Sequence, residues 1–224
     1  MSRNHGPLRA VLFDLDGTLL DSGRQEALIM TRLFCHDIGL PLSEQEIASY
    51  RGVPSREVLE QLAPDRIDEL LAVWLSYHEE TLQAAPLFPG VLETLRALSQ
   101  AGLALGVVTG QNRAELEASR RHLALDGTMG VWVAADDAPF AKPHPAPLRL
   151  ALEALGCRPD QAVMIGDSRF DMEAGRRAGT RLGAALWGAR EPASLLEFEP
   201  EYVFEHPQQM KNLMKGINQK GDAP

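Results

Sequence analysis

The sequence predicts an α/β protein, a doubly wound parallel sheet with a smaller all-helical domain inserted after its first strand. Two patterns support this prediction. Short apolar runs alternate with amphipathic helical stretches through most of the 224-residue chain, as they do when helices cover both faces of a parallel sheet. Residues 19–87 interrupt the alternation, because they contain amphipathic stretches and no strand-like run.

Five apolar runs predict strands, and a sixth, weaker run lies near the end of the chain. Each run is continuous rather than alternating, which is typical of a strand buried on both faces. The runs cover residues 9–16, 103–109, 130–134, 162–167 and 183–187, with the weaker one at 202–204. In parallel sheets of this kind, active sites lie at the carboxyl ends of the strands.

Helical patterns occupy the segments between these runs. Glycine follows three of them directly, as expected after the last residue of a helix. They cover residues 91–101, 113–123, 146–155 and 171–178 in the main part of the chain, and 25–34, 55–62 and 66–82 in the interrupting segment. We therefore predict a core of residues 1–18 and 88–224 and a helical insertion of residues 19–87.

Composition excludes several classes of function. Hydrophobic residues make up 45% and charged residues 24% of the chain, which is ordinary for a folded globular protein. The net charge of −9 argues against binding nucleic acid or an anionic membrane through a basic surface. No apolar run approaches the length needed to span a membrane. We expect a cytoplasmic protein; no pattern indicates its oligomeric state.

Asp14 and Asp16 end the first predicted strand. Side chains two residues apart in an extended chain point to the same side. One carboxylate of such a pair can attack phosphorus, while the other protonates the leaving oxygen and then activates water. An isolated Asp-x-Asp is more typical of a turn, so this interpretation depends on what the other strand ends carry.

The next two candidates are phosphoryl-binding groups. Thr109 offers a hydroxyl and Gly110 an unobstructed backbone amide after the second strand, and both groups can donate hydrogen bonds to phosphoryl oxygens. Lys142 lies in an Ala-Lys-Pro-His-Pro segment whose prolines favour a stiff, non-helical backbone. It is one of four lysines, and the other three lie in the C-terminal region. That placement singles out Lys142.

Asp167 and Asp171 follow the fourth strand and open a helix. Each could simply complement the positive helix N-terminus. Four carboxylates converging on one site would repel each other without a cation, however. A hard divalent ion with oxygen ligands resolves this repulsion, and Mg²⁺ is the usual choice beside a phosphate. The metal candidates are Asp14, Asp16, Asp167 and Asp171.

Four segments, in this order, resemble the motifs of the haloacid dehalogenase superfamily. They are FDLDGTLLDS at residues 13–22, VTG at 108–110, KP at 142–143 and GDSRFD at 166–171. The insertion resembles the helical cap of the branch that contains phosphoglycolate phosphatases and phosphoglucomutases. Gly110 departs from the pattern, since many relatives carry Asn there, so a side-chain contact from that position is lost.

The resemblance implies roles for these residues. Asp14 would be the nucleophile and a metal ligand, and Asp16 the general acid/base that binds the metal through its backbone carbonyl. Thr109 and Lys142 would bind the phosphoryl group, and Lys142 would lower the pKa of Asp14. Asp167 would bind the metal directly. Asp171 would contact the metal through a water molecule or would hydrogen-bond to the groups that bind it. The implied activity is Mg²⁺-dependent hydrolysis of a small organic phosphomonoester, similar to phosphoglycolate, through an aspartyl-phosphate.

Arg51 and Gly52 are the candidates for substrate specificity in the insertion, with Arg56 close behind. Gly52 would let a loop approach the ligand, and Arg51 could bind a carboxylate or a second anionic group. The insertion holds twelve acidic residues and five arginines, which disfavours a polyanionic substrate. A surface turn at Arg51 and Gly52 is an equally weighted alternative.

Other members of the superfamily provide the alternative functions. A dehalogenase does not need Asp16, and a phosphonate-cleaving enzyme needs an insertion lysine, whereas residues 17–88 contain none. A phosphoglucomutase-like mutase stays open, because it uses both Asp14 and Asp16. A non-catalytic binding protein that kept the fold is a third alternative, although every expected catalytic group is present.

Overall fold

The core is a six-stranded, all-parallel sheet, which confirms the predicted fold class. The structure is a computed structural model and describes residues 6–82, 84–123, 125 and 127–217. The strand order is β3-β2-β1-β4-β5-β6, so β1 is central and pairs with β2 and β4. The strands are β1 (Ala10–Phe13), β2 (Ala104–Val108), β3 (Val131–Val133), β4 (Ala162–Gly166), β5 (Arg181–Ala185) and β6 (Tyr202–Phe204).

Helices cover both faces of this sheet. Successive residues of a strand point to opposite faces, and β1 shows this division: Val11 and Phe13 belong to one apolar cluster, Ala10 and Leu12 to another. Helices α5 and α6 and a C-terminal 3₁₀ segment pack on the first face, and α7 and α8 on the second. The bounds of α5–α9 are Val91–Gln100, Arg113–Leu123, Ala146–Ala154, Arg169–Ala178 and Pro192–Leu196, and the 3₁₀ segment is Pro207–Gly216.

The insertion is helical, as predicted, and has an apolar core of its own. Phe34 and Trp74 make an edge-to-face contact with ring centroids 6.4 Å apart, and Met30, Leu59 and Leu70 pack around them. Its elements are α1 (Gly23–Met30), a π-helical continuation at Thr31–Ile38, α2 (Glu44–Ser49), α3 (Ser55–Leu62), a 3₁₀ turn at Pro64–Arg66 and α4 (Ile67–Leu82).

Two chain segments connect the insertion to the core, and they run side by side. The Asp21 amide donates to the Pro86 carbonyl at 2.9 Å, and the Phe88 amide donates to the Leu19 carbonyl at 3.0 Å. These bonds join the points where the chain leaves and re-enters the core. The division into domains at residues 19 and 87 stays a prediction.

Several boundaries differ from the predicted ones. Strand β5 spans Arg181–Ala185 rather than 183–187, and α8 begins at Arg169, two residues before Asp171. Helix α2 was not predicted, although Ser43 and Glu46 form a reciprocal capping box at its start, a pattern visible in sequence. Among the described residues, no helix is both long and apolar enough to cross a membrane.

Candidate active site

The candidate site begins where β1 ends. The Asp14 amide donates to the Ile165 carbonyl at 2.9 Å, which continues the pairing of β1 with β4 by one residue. Gly17 then turns the chain with φ of 78°, a conformation that glycine adopts without strain. The Trp187 indole N–H donates to the Thr18 carbonyl at 3.0 Å. The exit of β1 is therefore fixed on the side of β4 and β5.

Lys142 joins the ends of three strands. Its ammonium donates to Oδ1 of Asp14 at 2.8 Å, to the carbonyl of Val108 at 2.9 Å and to Oδ1 of Asp171 at 2.6 Å. Asp14 follows β1, Val108 ends β2, and Asp171 lies on α8 after β4. An ammonium has three protons, so these acceptors use all of its donor capacity. Lys142 therefore lies beside Asp14, as predicted.

Three carboxylates cluster beside this ammonium. Asp14, Asp167 and Asp171 each offer an oxygen, and these oxygens all lie within 4.8 Å of one another. Asp167 Oδ1 accepts from the Thr18 hydroxyl at 2.9 Å. Asp171 has both oxygens engaged, since Lys142 donates to Oδ1 and the Ser168 hydroxyl donates to Oδ2 at 2.5 Å. Because both of its oxygens already have partners, Asp171 is suited to hold Lys142 in place rather than to bind a ligand itself.

Burial and mutual repulsion raise the pKa values in this cluster. Burial and then the charge of Asp171 raise the pKa of Asp14 from 3.8 to about 7. Lys142 lowers it, as predicted, but the other effects outweigh that contribution. The pKa of Asp167 is raised well above its ordinary value by burial and the nearby Asp14. Burial alone would lower the pKa of Lys142. The charges of Asp14 and Asp171 raise it by more than burial lowers it, so the pKa of Lys142 lies above its ordinary value.

Asp16 lies near this cluster but has a different partner. Its Oδ2 accepts from the Gln111 amide Nε2 at 2.8 Å. Gln111 also donates its backbone N–H to the Thr109 hydroxyl oxygen at 3.1 Å, and Thr109 is fully buried. Sequence reasoning missed Gln111. Its position directly after Thr109 and Gly110 at a strand end was the available signal.

The insertion covers the strand ends and encloses a cavity of about 80 Å³ above Asp14 and Asp16. Arg51, Gly52 and Gly110 line this cavity with the two aspartates, so the predicted substrate-binding residues meet there. The other polar or aromatic lining residues are Ser22, Gln25, Glu26, Tyr50, Ser55, Trp74, His78, Thr81, Gln111 and Glu115. Arg56 lines a different groove and pairs with the exposed Asp68 at 3.2 Å.

Glycines bring the insertion and the core into direct contact. A Cβ placed on Gly110 would lie 2.9 Å from the carbonyl oxygen of Gly52, closer than real Cβ contacts allow. Gly52 has φ of 77°. The two predicted glycine positions therefore face each other, one from each side of the cavity.

Two glutamates that line the cavity have raised pKa values. Burial and then the charge of Asp16 raise the pKa of Glu26 from 4.5 to about 8, although Arg51 lies 3.6 Å away. Burial raises the pKa of Glu115 from 4.5 to about 7. Neither residue was singled out from the sequence.

Comparison with known proteins shows the class of enzyme that has this fold. The family model described as haloacid dehalogenase-like hydrolase matches residues 11–185. A curated relative, pyrophosphatase PpaX of Bacillus velezensis, is 33% identical over 199 residues, which cover 88% of this chain and 91% of that protein. This chain belongs to the haloacid dehalogenase-like hydrolase family, and the predicted resemblance is confirmed.

Solved structures support the same conclusion. A putative phosphoglycolate phosphatase of Lactobacillus plantarum has a TM-score of 0.83 and 29% identity, covering 92% of this chain and 99% of its own. A putative beta-phosphoglucomutase of Bacteroides vulgatus has a TM-score of 0.79 and 26% identity, covering 96% of this chain and 93% of its own.

Proposed function

We propose that this phosphatase hydrolyses small organic phosphomonoesters similar to phosphoglycolate, with Mg²⁺ and through an aspartyl-phosphate on Asp14. The observation that carries the proposal is the buried group of Asp14, Lys142 and Asp171 beside Asp167. Asp14 connects this group to the cavity under the insertion, which it lines. Residues 19–87 would act as a cap over this cavity.

The residues around Asp14 suit the binding of a phosphoryl group. The Thr109 hydroxyl oxygen already accepts from the Gln111 backbone, so its own proton is left to donate to a phosphoryl oxygen. Gly110 leaves its backbone amide uncovered by a side chain. Lys142 supplies the positive charge beside the nucleophile.

The donor set fits a divalent cation. Two buried carboxylates and one partly buried carboxylate surround a single ammonium. Burial, and then the excess of negative charge, raises the pKa values of Asp14 and Asp167. Hard oxygen ligands of this kind are those that Mg²⁺ prefers. Asp14 and Asp167 would hold the ion with the backbone carbonyl of Asp16, and Asp171 would support them. When bound, the ion would neutralise negative charge on the phosphoryl oxygens.

Two steps complete the reaction. In the first, Asp14 attacks phosphorus while Asp16 gives its proton to the leaving oxygen, and the alcohol departs. In the second, the Asp16 carboxylate takes a proton from water, and that water attacks the aspartyl-phosphate and releases phosphate. Asp14 and the protonated Asp16 are then restored. The insertion would exclude bulk water from the first step.

The scarcity of positive charge in the cavity favours an organic leaving group over a second phosphate. Arg51 is the one cationic residue that lines the cavity among the described residues, and Glu26 lies 3.6 Å from it. Glu26 and Glu115, whose pKa values are raised to about 8 and about 7, add no positive charge, and either of them would repel a second phosphate when ionised. Because the curated relative PpaX is a pyrophosphatase, pyrophosphate has to be tested beside the organic phosphates. Arg51 is suited to bind one carboxylate, as phosphoglycolate would require.

A mutase activity is the second candidate, because a putative beta-phosphoglucomutase shares the fold with 26% identity. A mutase must bind a second phosphate while the sugar reorients. The insertion contains no lysine, and Arg51 is paired with Glu26. These features favour hydrolysis.

Phosphate release tests the proposal. Wild-type protein and the Asp14→Asn variant would be assayed on phosphoglycolate, hexose phosphates and pyrophosphate, with Mg²⁺ and again with a chelator. We expect Mg²⁺-dependent release from a monoester and none from the variant. Hexose phosphate isomerisation without release would indicate a mutase, and preferred release from pyrophosphate would overturn the proposed substrate class.

A further inference from the structure

A chain of hydrogen bonds connects Asp16 to the insertion. Gln111 Nε2 donates to Asp16 Oδ2 at 2.8 Å, and Gln111 Oε1 accepts from the Ser119 hydroxyl at 2.9 Å. The Ser119 oxygen lies 3.1 Å from His78 Nε2. Ser119 lies on α6 of the core and His78 on α4 of the insertion, so the chain crosses between them.

The chemistry of each group fixes the direction of this chain. The one proton of the Ser119 hydroxyl goes to Gln111, so the Ser119 oxygen must accept from His78. The Gln111 carbonyl oxygen then faces Ser119, and its N–H₂ group faces Asp16. Ser119 is fully buried and Gln111 is 7% exposed, so little water is available to replace these partners.

A fixed amide donor has a specific consequence for Asp16. An amide N–H can only donate, so Oδ2 has to accept and the exchangeable proton is confined to Oδ1. Oδ2 accepts equally well in the carboxylic acid and in the carboxylate. Gln111 can therefore hold Asp16 in one orientation through both half-reactions, although the charge of Asp16 changes between them.

We infer that Gln111 is a positioning residue that keeps the proton of Asp16 on Oδ1, facing the leaving group, and that Ser119 and His78 hold Gln111 in that orientation. This inference rests on the proposed function, because it concerns the acid/base step. His78 reaches Ser119 only while α4 lies against α6. The proton of Asp16 is thus positioned when the insertion is seated on the core.

Leaving-group dependence tests the inference. An alkyl alkoxide leaves poorly without a proton, whereas p-nitrophenolate leaves without one, and kcat/KM reports the step that forms the aspartyl-phosphate. Gln111→Met keeps the length of the side chain and removes its donor. We expect kcat/KM to fall roughly 10- to 100-fold for an alkyl phosphate and less than about 3-fold for p-nitrophenyl phosphate.

Two sets of variants accompany Gln111→Met. Gln161→Met is the matched control, since Gln161 is similarly buried at 8% exposure but precedes β4 at the opposite end of the sheet. Ser119→Ala and His78→Leu should lower kcat/KM by smaller factors, again more for the alkyl phosphate than for p-nitrophenyl phosphate. Combined with Gln111→Met, neither should add a further loss, because both act through Gln111. Equal losses on the two substrates, or additive losses, would overturn the inference.

A measurement without turnover separates this inference from the proposed function. In ¹⁵N-labelled protein, the Gln111 side-chain N–H₂ protons should exchange slowly with solvent, and faster in Ser119→Ala and His78→Leu. Exchange as fast as that of an exposed glutamine would refute the hydrogen-bond chain whether or not the protein is active. A wild-type protein inactive on both phosphates but with slow exchange would refute the proposed function and leave the chain in place.

Discussion

Nζ of Lys142 donates to Oδ1 of Asp14 across 2.8 Å, and only 4% of the Lys142 side chain and 7% of the Asp14 side chain are exposed. The same ammonium binds the carbonyl that ends β2 and Asp171 on α8. A single side chain thus sets the positions of three segments that carry the candidate chemistry. Its removal should affect both stability and activity.

Lys142→Met should destabilise the protein and abolish turnover. Removal of one partner of a buried ion pair costs about 3–5 kcal/mol, because the other charges stay buried without compensation. The pKa of Asp14 is already raised to about 7. The loss should therefore be largest near about pH 8, where Asp14 is charged, and smaller near about pH 6. Urea unfolding at the two pH values measures it.

Lys211→Met is the control for that experiment. Lys211 pairs with Glu93 at 2.5 Å, but 33% and 74% of these side chains are exposed. Exposed ion pairs contribute little to stability because water screens them, so this variant should unfold almost like the wild type. Equal losses in the two variants would contradict the role assigned to Lys142.

Stabilisation by Mg²⁺ should increase with pH. Asp14 has a pKa of about 7 in the folded protein against 3.8 as the ordinary value, and the pKa of Asp167 is also raised. Between these values the folded state binds more protons than the unfolded state, so stability without metal falls as pH rises through about 7. Mg²⁺ competes with those protons.

The measurement is the difference in Tm with Mg²⁺ and with a chelator. We expect a larger increase near about pH 8 than near about pH 6, and almost none at either pH in an Asp167→Asn variant. A pH-independent increase that survives in Asp167→Asn would place the ion elsewhere.

Gly110→Ala should weaken the contact between the insertion and the core. Its new Cβ would lie 2.9 Å from the Gly52 carbonyl oxygen, so the insertion has to move away. We expect kcat/KM to fall roughly 10-fold or more, since small displacements of positioned groups are costly, with little change in Tm. Gly127→Ala is the control, because its Cβ would meet nothing within 4 Å. Equal kcat/KM values in both variants would argue against a tight contact.

The sequence was informative where structure and chemistry are local. The strands are continuous apolar runs, and Asp14, Thr109 and Asp167 directly follow three of them, so topology alone brings them together. Lys142 was found because lysine is rare in this chain. The net pKa of Asp14 was not foreseen, since it depends on how deeply Asp14 is buried and on its distance to Asp171.

Long-range partners left no comparable pattern. Gln111 and Asp16 are 95 positions apart, and His78 and Ser119 are 41 apart. The contact between His78 and Ser119 depends on how α4 packs on α6, which no local motif encodes, and the contact between Gln111 and Asp16 depends on the paths of the loops after β2 and β1. Arg51 and Gly52 were found through their residue types, but their proximity to Gly110 depends on how the insertion sits on the core.

Identification of the phosphorylated residue tests the central claim most directly. Wild-type protein and an Asp16→Asn variant, which should release phosphate slowly, would be quenched in acid during turnover and digested for mass spectrometry. The account predicts one added phosphoryl group on the peptide that contains Asp14, more abundant in Asp16→Asn and absent in Asp14→Asn. Turnover by Asp14→Asn, or a phosphoryl group on another residue, would contradict it.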